Sequence, residues 1–134
     1  MDDKIEVANL VRHRLAANPQ ALRIPSNLLE ISVVRDFLTA GECQKLIDLI
    51  DRERVPSQLL SPNEDPEFRT SESCNLQPGH PIVRQIEDKI TDLTGIPYEH
   101  GETVQGQRYA IGQQFKAHHD FFYTDQPYWP EMER

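Results

Sequence analysis

The chain has 134 residues, the size of one domain. Its 14 Lys and Arg against 22 Asp and Glu leave a net charge of -8, which gives it no general attraction to nucleic acid or anionic lipid. Its apolar runs are too short to span a bilayer, the start Met1-Asp2-Asp3-Lys4 is not a signal peptide, and Cys43 and Cys74 are too few for a disulfide scaffold, so a reducing, cytoplasmic setting is expected.

In chain order, residues 3–17 carry Ile5, Val7, Leu10, Val11 and Leu15 at helical spacing, and Asn18-Pro19 ends that helix. Residues 23–27, with Pro25, read as a linker, so residues 1–25 read as a helical segment and linker ahead of a domain at 26–134, the helix either packing on the main body or lying apart from it. Residues 30–37 are rich in β-branched side chains and predict a strand. Thr39 and Glu42 form a capping-box pair that opens a helix, whose apolar face is expected to be Cys43, Leu46, Ile47 and Ile50. The helix fades near Arg54, and residues 56–68 read as a mobile loop. A short strand is expected within 68–76.

Pro81 stands where a helix would start, and Ile82, Val83, Ile86, Ile90 and Leu93 give it an apolar stripe. Gly95 closes it as a left-handed cap, with Pro97 beyond. Residues 102–111 and 114–123 read as two strands, with Gly112 in the turn between them. Helices first and strands last suggest an α+β layout, with helices on one face of a mostly antiparallel sheet.

The chemically informative stretch is His118-His119-Asp120. On a strand, His118 and Asp120 share a face and His119 points away. An imidazole and a carboxylate so placed can chelate one divalent metal. Two histidines and a carboxylate on one octahedral face form the non-heme Fe(II) oxygenase site, whose open positions take a 2-oxo acid and dioxygen.

The run Glu102-x-x-Gln105-x-x-Arg108-Tyr109-x-x-Gly112-x-x-Phe115-x-x-His118-x-Asp120-x-Phe122 resembles the prolyl 4-hydroxylase-like branch of the Fe(II)/2-oxoglutarate dioxygenases. So do Asp36-Phe37-Leu38-Thr39 with Glu42-Cys43 and Leu46-Ile47, the segment Arg69-Thr70-Ser71, and Thr94-Gly95-Ile96-Pro97 ahead of Gly101-Glu102. The resemblance covers about residues 30–134. It implies the N-terminal part of a double-stranded β-helix (jelly-roll) oxygenase, with support helices packed on the major sheet. It assigns His118 and Asp120 as the first two iron ligands, and Tyr109 as the hydrogen-bonding partner of 2-oxoglutarate. It places Glu102, Gln105, Arg69 and Ser71 along the substrate groove. The implied reaction decarboxylates 2-oxoglutarate to succinate and hydroxylates a peptide or protein substrate, often at proline, with ascorbate (vitamin C) keeping the iron reduced.

The family pattern also needs a later histidine and a basic residue that anchors the far carboxylate of 2-oxoglutarate. After Asp120 there is no His or Lys, and Arg134 is the sole basic residue. The expectation is therefore a C-terminally truncated domain, inactive alone. The alternative is a non-catalytic peptide-binding or dimerising module derived from the same fold. His13, His80 and His100 read as solvated surface histidines, Cys43 as a core residue, and Cys74 as a thiol without a catalytic partner. Phe121, Phe122, Tyr123, Tyr128 and Trp129 read as sheet or groove aromatics. Oligomeric state is not legible.

Overall fold

The computed structural model describes residues 2–59, 65–119, 123–125, 128 and 129. It is a small α+β protein in which two compact units divide the chain. One is drawn from residues up to 49 together with 75–104, the other from 50–74 together with the described residues from 105 on. Among the described residues no helix is long and apolar enough to cross a membrane.

The first unit opens with helix α1 (Asp2–Ala17) and a hairpin of β1 (Ala21–Ile24) and β2 (Ile31–Val34). The strands pair antiparallel, Leu22 opposite Val33 and Ile24 opposite Ile31, so these four apolar side chains share one face. Arg12 of α1 reaches Glu30 at 2.7 Å and ties helix to hairpin. This corrects the linker reading of residues 23–27: Arg23 and Ile24 lie in a strand. Two short runs between prolines give too weak a signal alone, and the ladder to β2 supplies what propensity does not. The α1 helix is present, but Ile5, Val7 and Leu10 are 58%, 40% and 44% exposed, so its apolar set is not a buried stripe.

Helix α2 (Ala40–Glu53) begins with the expected capping box. The Thr39 amide donates to Glu42 Oε2 at 2.7 Å, and the Glu42 amide donates to Thr39 Oγ1 at 3.3 Å. The face expected from spacing is displaced. Leu49 is buried at 3% exposure and Ile47 is exposed at 49%. Cys43 is also exposed, against its expected place in the core. Helical periodicity defines stripes, and the packing partner selects one of them. Here that partner is helix α3 (Pro81–Thr94), because Glu42 accepts hydrogen bonds from Gln85 at 2.6 Å and Lys89 at 2.7 Å.

Helix α3 follows its sequence signals closely. Pro81 is at its start, and Ile82, Val83 and Ile86 are buried. Gly95 adopts φ 78°, its N–H capping the Thr91 carbonyl. A Cβ at Gly95 would lie 2.8 Å from Arg14 Cδ and 3.2 Å from Leu10 Cδ2, so glycine also admits α1. A 3₁₀ turn (Tyr98–His100) follows, and Arg84 stacks its guanidinium on the Tyr98 ring at 3.7 Å.

The second unit is built on a three-stranded sheet in the order β3 (Val55–Pro56), β4 (Glu72–Asn75), β5 (Gln105–Arg108), with β3 antiparallel to β4. Strand β5 is shorter than the expected 102–111. Gly106 is buried against Ile50 and Cys74, where a Cβ would meet Ile50 Cδ1 at 2.9 Å and Cys74 Sγ at 3.2 Å. Gly112, at φ 87°, sits third in a turn closed by a hydrogen bond from the Gln113 amide to the Ala110 carbonyl, as expected. Of the expected strand at 114–123, the described residues 114–119 form a single bridge, Phe115 opposite Arg69, and residues 120–122 lie outside the described residues. The Thr70 amide donates to the Gln114 carbonyl and the Lys116 amide to the Phe68 carbonyl, after which the described chain leaves the ladder. A strand needs a neighbour along its whole length, and the 68–70 segment supplies one for only three residues.

Candidate functional site

The chemistry-bearing residues of the second unit cluster where the bridge joins residues 68–70 to 114–116. Phe115 is the centre. The Arg69 guanidinium carbon lies 4.6 Å over its ring centroid, and Phe68 meets it edge-on at 5.7 Å. The His118 imidazole stacks on it with centroids 4.0 Å apart and planes 26° apart. Arg69 is held in turn: its Nε donates to Ser71 Oγ at 3.3 Å and its guanidinium to the Gln58 carbonyl at 3.1 Å. Ser71 is 2% exposed and shares its hydroxyl with Ser57, which also donates to Ser73.

His118 itself is exposed, and its Nδ1 lies 2.7 Å from the Lys116 carbonyl oxygen. A carbonyl only accepts, so Nδ1 bears a proton, and in the neutral ring Nε2 is then the nitrogen with the lone pair that a metal uses. Carbonyl-oriented imidazoles of this kind are the usual metal-ligating form. Lys116 pairs with Asp65 at 2.6 Å, which holds the Asp65 carboxyl below and the lysine above their ordinary ranges.

A second polar cluster precedes Tyr109. Glu72 accepts from Arg54 at 2.9 Å and from Arg108 at 3.2 Å, and Asp51 pairs with Arg54 at 2.6 Å. Hydrogen bonding to Arg54, ahead of Coulomb attraction, keeps the Glu72 carboxyl below its usual range. These pairs tie the end of α2 to β4 and β5, and so fix where Tyr109 leaves the sheet. The Tyr109 hydroxyl donates to Gln107 Oε1 at 3.1 Å, and its ring is half exposed.

Of the residues singled out from the sequence, Arg69, Ser71 and His118 are therefore brought together through Phe115. Gln105 stands on β5 and accepts from Gln107 at 2.9 Å, and Tyr109 stands just beyond the strand. Glu102 is exposed and belongs to the first unit. Asp120 lies outside the described residues, as do Phe121 and Phe122. The expected face shared by His118 and Asp120 rested on a strand that residues 116–119 do not form. Among the described residues no three His, Cys, Asp or Glu side chains gather into a metal site. Of the two ligands expected from the sequence, His118 is among the described residues and Asp120 is not, and no catalytic step follows from His118 alone.

Two features escaped sequence reasoning. The first is Phe68 and Phe115 as a platform. Phe115 precedes His118 by three residues, a spacing that means nothing until the chain beyond Lys116 brings the imidazole onto the ring. The second is His80: its Nδ1 is buried without a hydrogen-bond partner among the described residues, so it is not the solvated histidine expected. Cys74 is buried, and burial pushes its thiol upward, away from nucleophilic use. A groove of about 1260 Å³ lies in the first unit, bordered by Val7, Leu10, Val11, Ile31, Ile96 and His100, and is lined by none of the candidate residues.

Comparison with known proteins places this geometry in context. The chain is 38% identical over 98 residues to "Probable prolyl 4-hydroxylase 8" of Arabidopsis thaliana, which covers 69% of this chain and 34% of that protein. It is 35% identical over 121 residues to prolyl 4-hydroxylase 2 of the same plant, covering 81% of this chain and 40% of the relative. Prolyl 4-hydroxylase 5 is 38% identical over 95 residues, 67% of this chain and 33% of its own length. The chain thus spans between a third and two-fifths of these relatives. No family model matches it, and no solved structure does.

Proposed function

We infer, because the chain belongs to the prolyl 4-hydroxylase-like 2-oxoglutarate dioxygenases, that it contributes the first part of an oxygenase centre acting on a peptide or protein substrate. The observation that carries this is His118. It is an exposed imidazole with Nδ1 tied to a backbone carbonyl, followed two residues later by Asp120. In this reading His118 Nε2 and Asp120 hold Fe(II), and the iron supplies oxygen activation when bound. The Tyr109 hydroxyl exchanges its Gln107 partner for 2-oxoglutarate. Arg69 and Gln105 face the substrate, a proline-containing chain in the reading that the relatives' names favour, whereas Ser71, 2% exposed, is too buried to touch it. Ascorbate serves as reductant. The surrounding architecture is a jelly roll, of which the α+β units here are the opening part.

A whole centre on this plan needs a third ligand and a basic anchor for 2-oxoglutarate, in neither of which residues 1–134 match the family order. The chain by itself is therefore expected to form no succinate from 2-oxoglutarate with Fe(II), ascorbate and a proline-rich peptide. Robust iron-dependent turnover would overturn that part of the reading. The ligand assignment is tested by Co(II) titration followed by absorption. His118→Ala and Asp120→Asn should each weaken binding at least about tenfold, the scale on which even outer-shell changes act at metal sites. Unchanged affinity in both variants would remove these residues from the centre.

A further inference from the structure

We propose that Phe115 is a positioning residue for the His118 imidazole, itself locked in place by Arg69 and Phe68. This goes beyond the ligand role of His118 and gives that role, which it takes from the reading above, a physical support. An exposed imidazole has two soft torsions and two tautomers. Something must reduce these to one arrangement if Nε2 is to be presented in a fixed direction. The Lys116 carbonyl selects the tautomer, through Nδ1 at 2.7 Å. That hydrogen bond by itself does not fix the ring's rotation about the Nδ1···O line. The stack on Phe115, at 4.0 Å and 26°, removes that freedom by fixing the ring plane.

A platform is only as rigid as its own surroundings, and Phe115 is held from several directions. The backbone of the 114–116 segment is pinned to residues 68–70 by the bridge and its hydrogen bonds. The Phe68 ring meets Phe115 at 81°. The Arg69 guanidinium packs over the ring, and its direction is set by Ser71 Oγ and the Gln58 carbonyl. Ser71, nearly inaccessible at 2% exposure, anchors the far end of this relay. The order is therefore Ser71, Arg69, Phe115, His118, each holding the next. Arg69 and Ser71 act on the imidazole in this arrangement without touching it, which is a use of the Arg-Thr-Ser segment separate from any contact with substrate.

The test uses the full chain without metal. Long-range ¹H–¹⁵N NMR reports the tautomer of His118, and its ring-proton shifts report stacking through the ring current of Phe115. Wild type is expected to show the Nδ1–H tautomer and upfield ring protons. Phe115→Leu should lose the upfield shift while the Lys116 carbonyl keeps the Nδ1–H tautomer, with the amide signals of β4 and β5 unmoved as evidence of folding. Phe115→Tyr keeps an aromatic face and should restore the upfield shift. Arg69→Met, which removes the charge and keeps an unbranched stem, should broaden the His118 ring signals. His118 signals identical in wild type and Phe115→Leu would overturn the proposal, and so would unstacked shifts in wild type. If Phe115→Leu unfolds, the Tyr and Met variants decide alone. Co(II) titration separates this from the functional reading. Wild type that stacks His118 but binds no metal sinks the metal reading and leaves the positioning standing. Metal bound through His118 with equal affinity in wild type and Phe115→Leu sinks the positioning and leaves the metal reading standing.

Discussion

The two units are stabilised by different means. In the first, one carboxylate organises two helices: Glu42, 7% exposed, caps its own helix through Thr39 and receives Gln85 and Lys89 from α3. Leu76, Ile82, Val83 and Ile86 complete an apolar centre beside it. In the second, strands of two to four residues are joined by ion pairs between half-exposed side chains, and by one aromatic stack. Exposed ion pairs contribute little each, so the second unit depends on backbone fit, as at Gly106, and on the Phe68–Phe115 cluster. A scaffold held by burial and a site held by polar and aromatic contacts is the division expected when binding residues must stay reachable by solvent.

Three changes would break or sharpen that contrast. The largest effect is expected in the first unit, where Leu76 is 1% exposed. Leu76→Ala should cost about 2–5 kcal/mol, read as a lower urea midpoint, because truncating a side chain this deeply buried leaves a cavity on top of the lost apolar transfer. A loss under about 1 kcal/mol would mean the centre is loosely packed, and the contrast would weaken.

Next comes Gly106→Ala in the second unit. Its Cβ would press into Ile50 Cδ1 at 2.9 Å and Cys74 Sγ at 3.2 Å, so a cost of about 1–3 kcal/mol is expected. Loss of the Arg54–Glu72–Arg108 pairs should accompany it, visible as a rise of the Glu72 carboxyl toward its ordinary range by NMR titration. A neutral substitution would show that β5 is not constrained by backbone approach.

The last change is Glu42→Gln, which keeps the side-chain volume and one acceptor oxygen but removes the charge that Lys89 pairs with, so its cost is full at neutral pH and shrinks as pH falls. Its signature is in the pH dependence. Hydrogen bonding from Lys89 first, and from the Thr39 amide next, lowers the Glu42 carboxyl from 4.5 to about 2. A folded value below the unfolded one stabilises the fold above about pH 4.5, and that stabilisation is lost as pH falls from 4.5 toward 2. Melting followed by circular dichroism should therefore fall across that interval in wild type, and less steeply in Glu42→Gln. Asp65 and Glu72, also held low by cationic partners, act in the same direction and leave a residual slope. Equal slopes in the two proteins would show that Glu42 is not the carboxylate that organises the first unit.

Much of the scaffold was legible because its signals are local. Pro81 at a helix start, Gly95 at its left-handed cap, Thr39 with Glu42 three residues on, and Gly112 in a turn each describe a conformation that a few adjacent residues enforce. The misjudged positions are those where a partner decides. The α2 face turned toward Leu49 rather than Cys43 and Ile47, because Gln85 and Lys89 drew Glu42 inward. Ala21–Ile24 became a strand because Ile31–Val34 lies beside it.

For the site, the sequence by itself determined the chemistry on offer: His118 and Asp120 two residues apart, Tyr109 upstream, and the Arg69–Ser71 segment. What only the tertiary structure decided is how His118 is held. Residues 116–119 leave the ladder, so the imidazole is aimed by the Lys116 carbonyl and the Phe115 ring and not by the alternation of a strand. The physical reason is that alternation requires a paired neighbour, whereas a ring stacked on an aromatic platform needs only that the platform be fixed, and Arg69 and Ser71, far away in the chain, fix it.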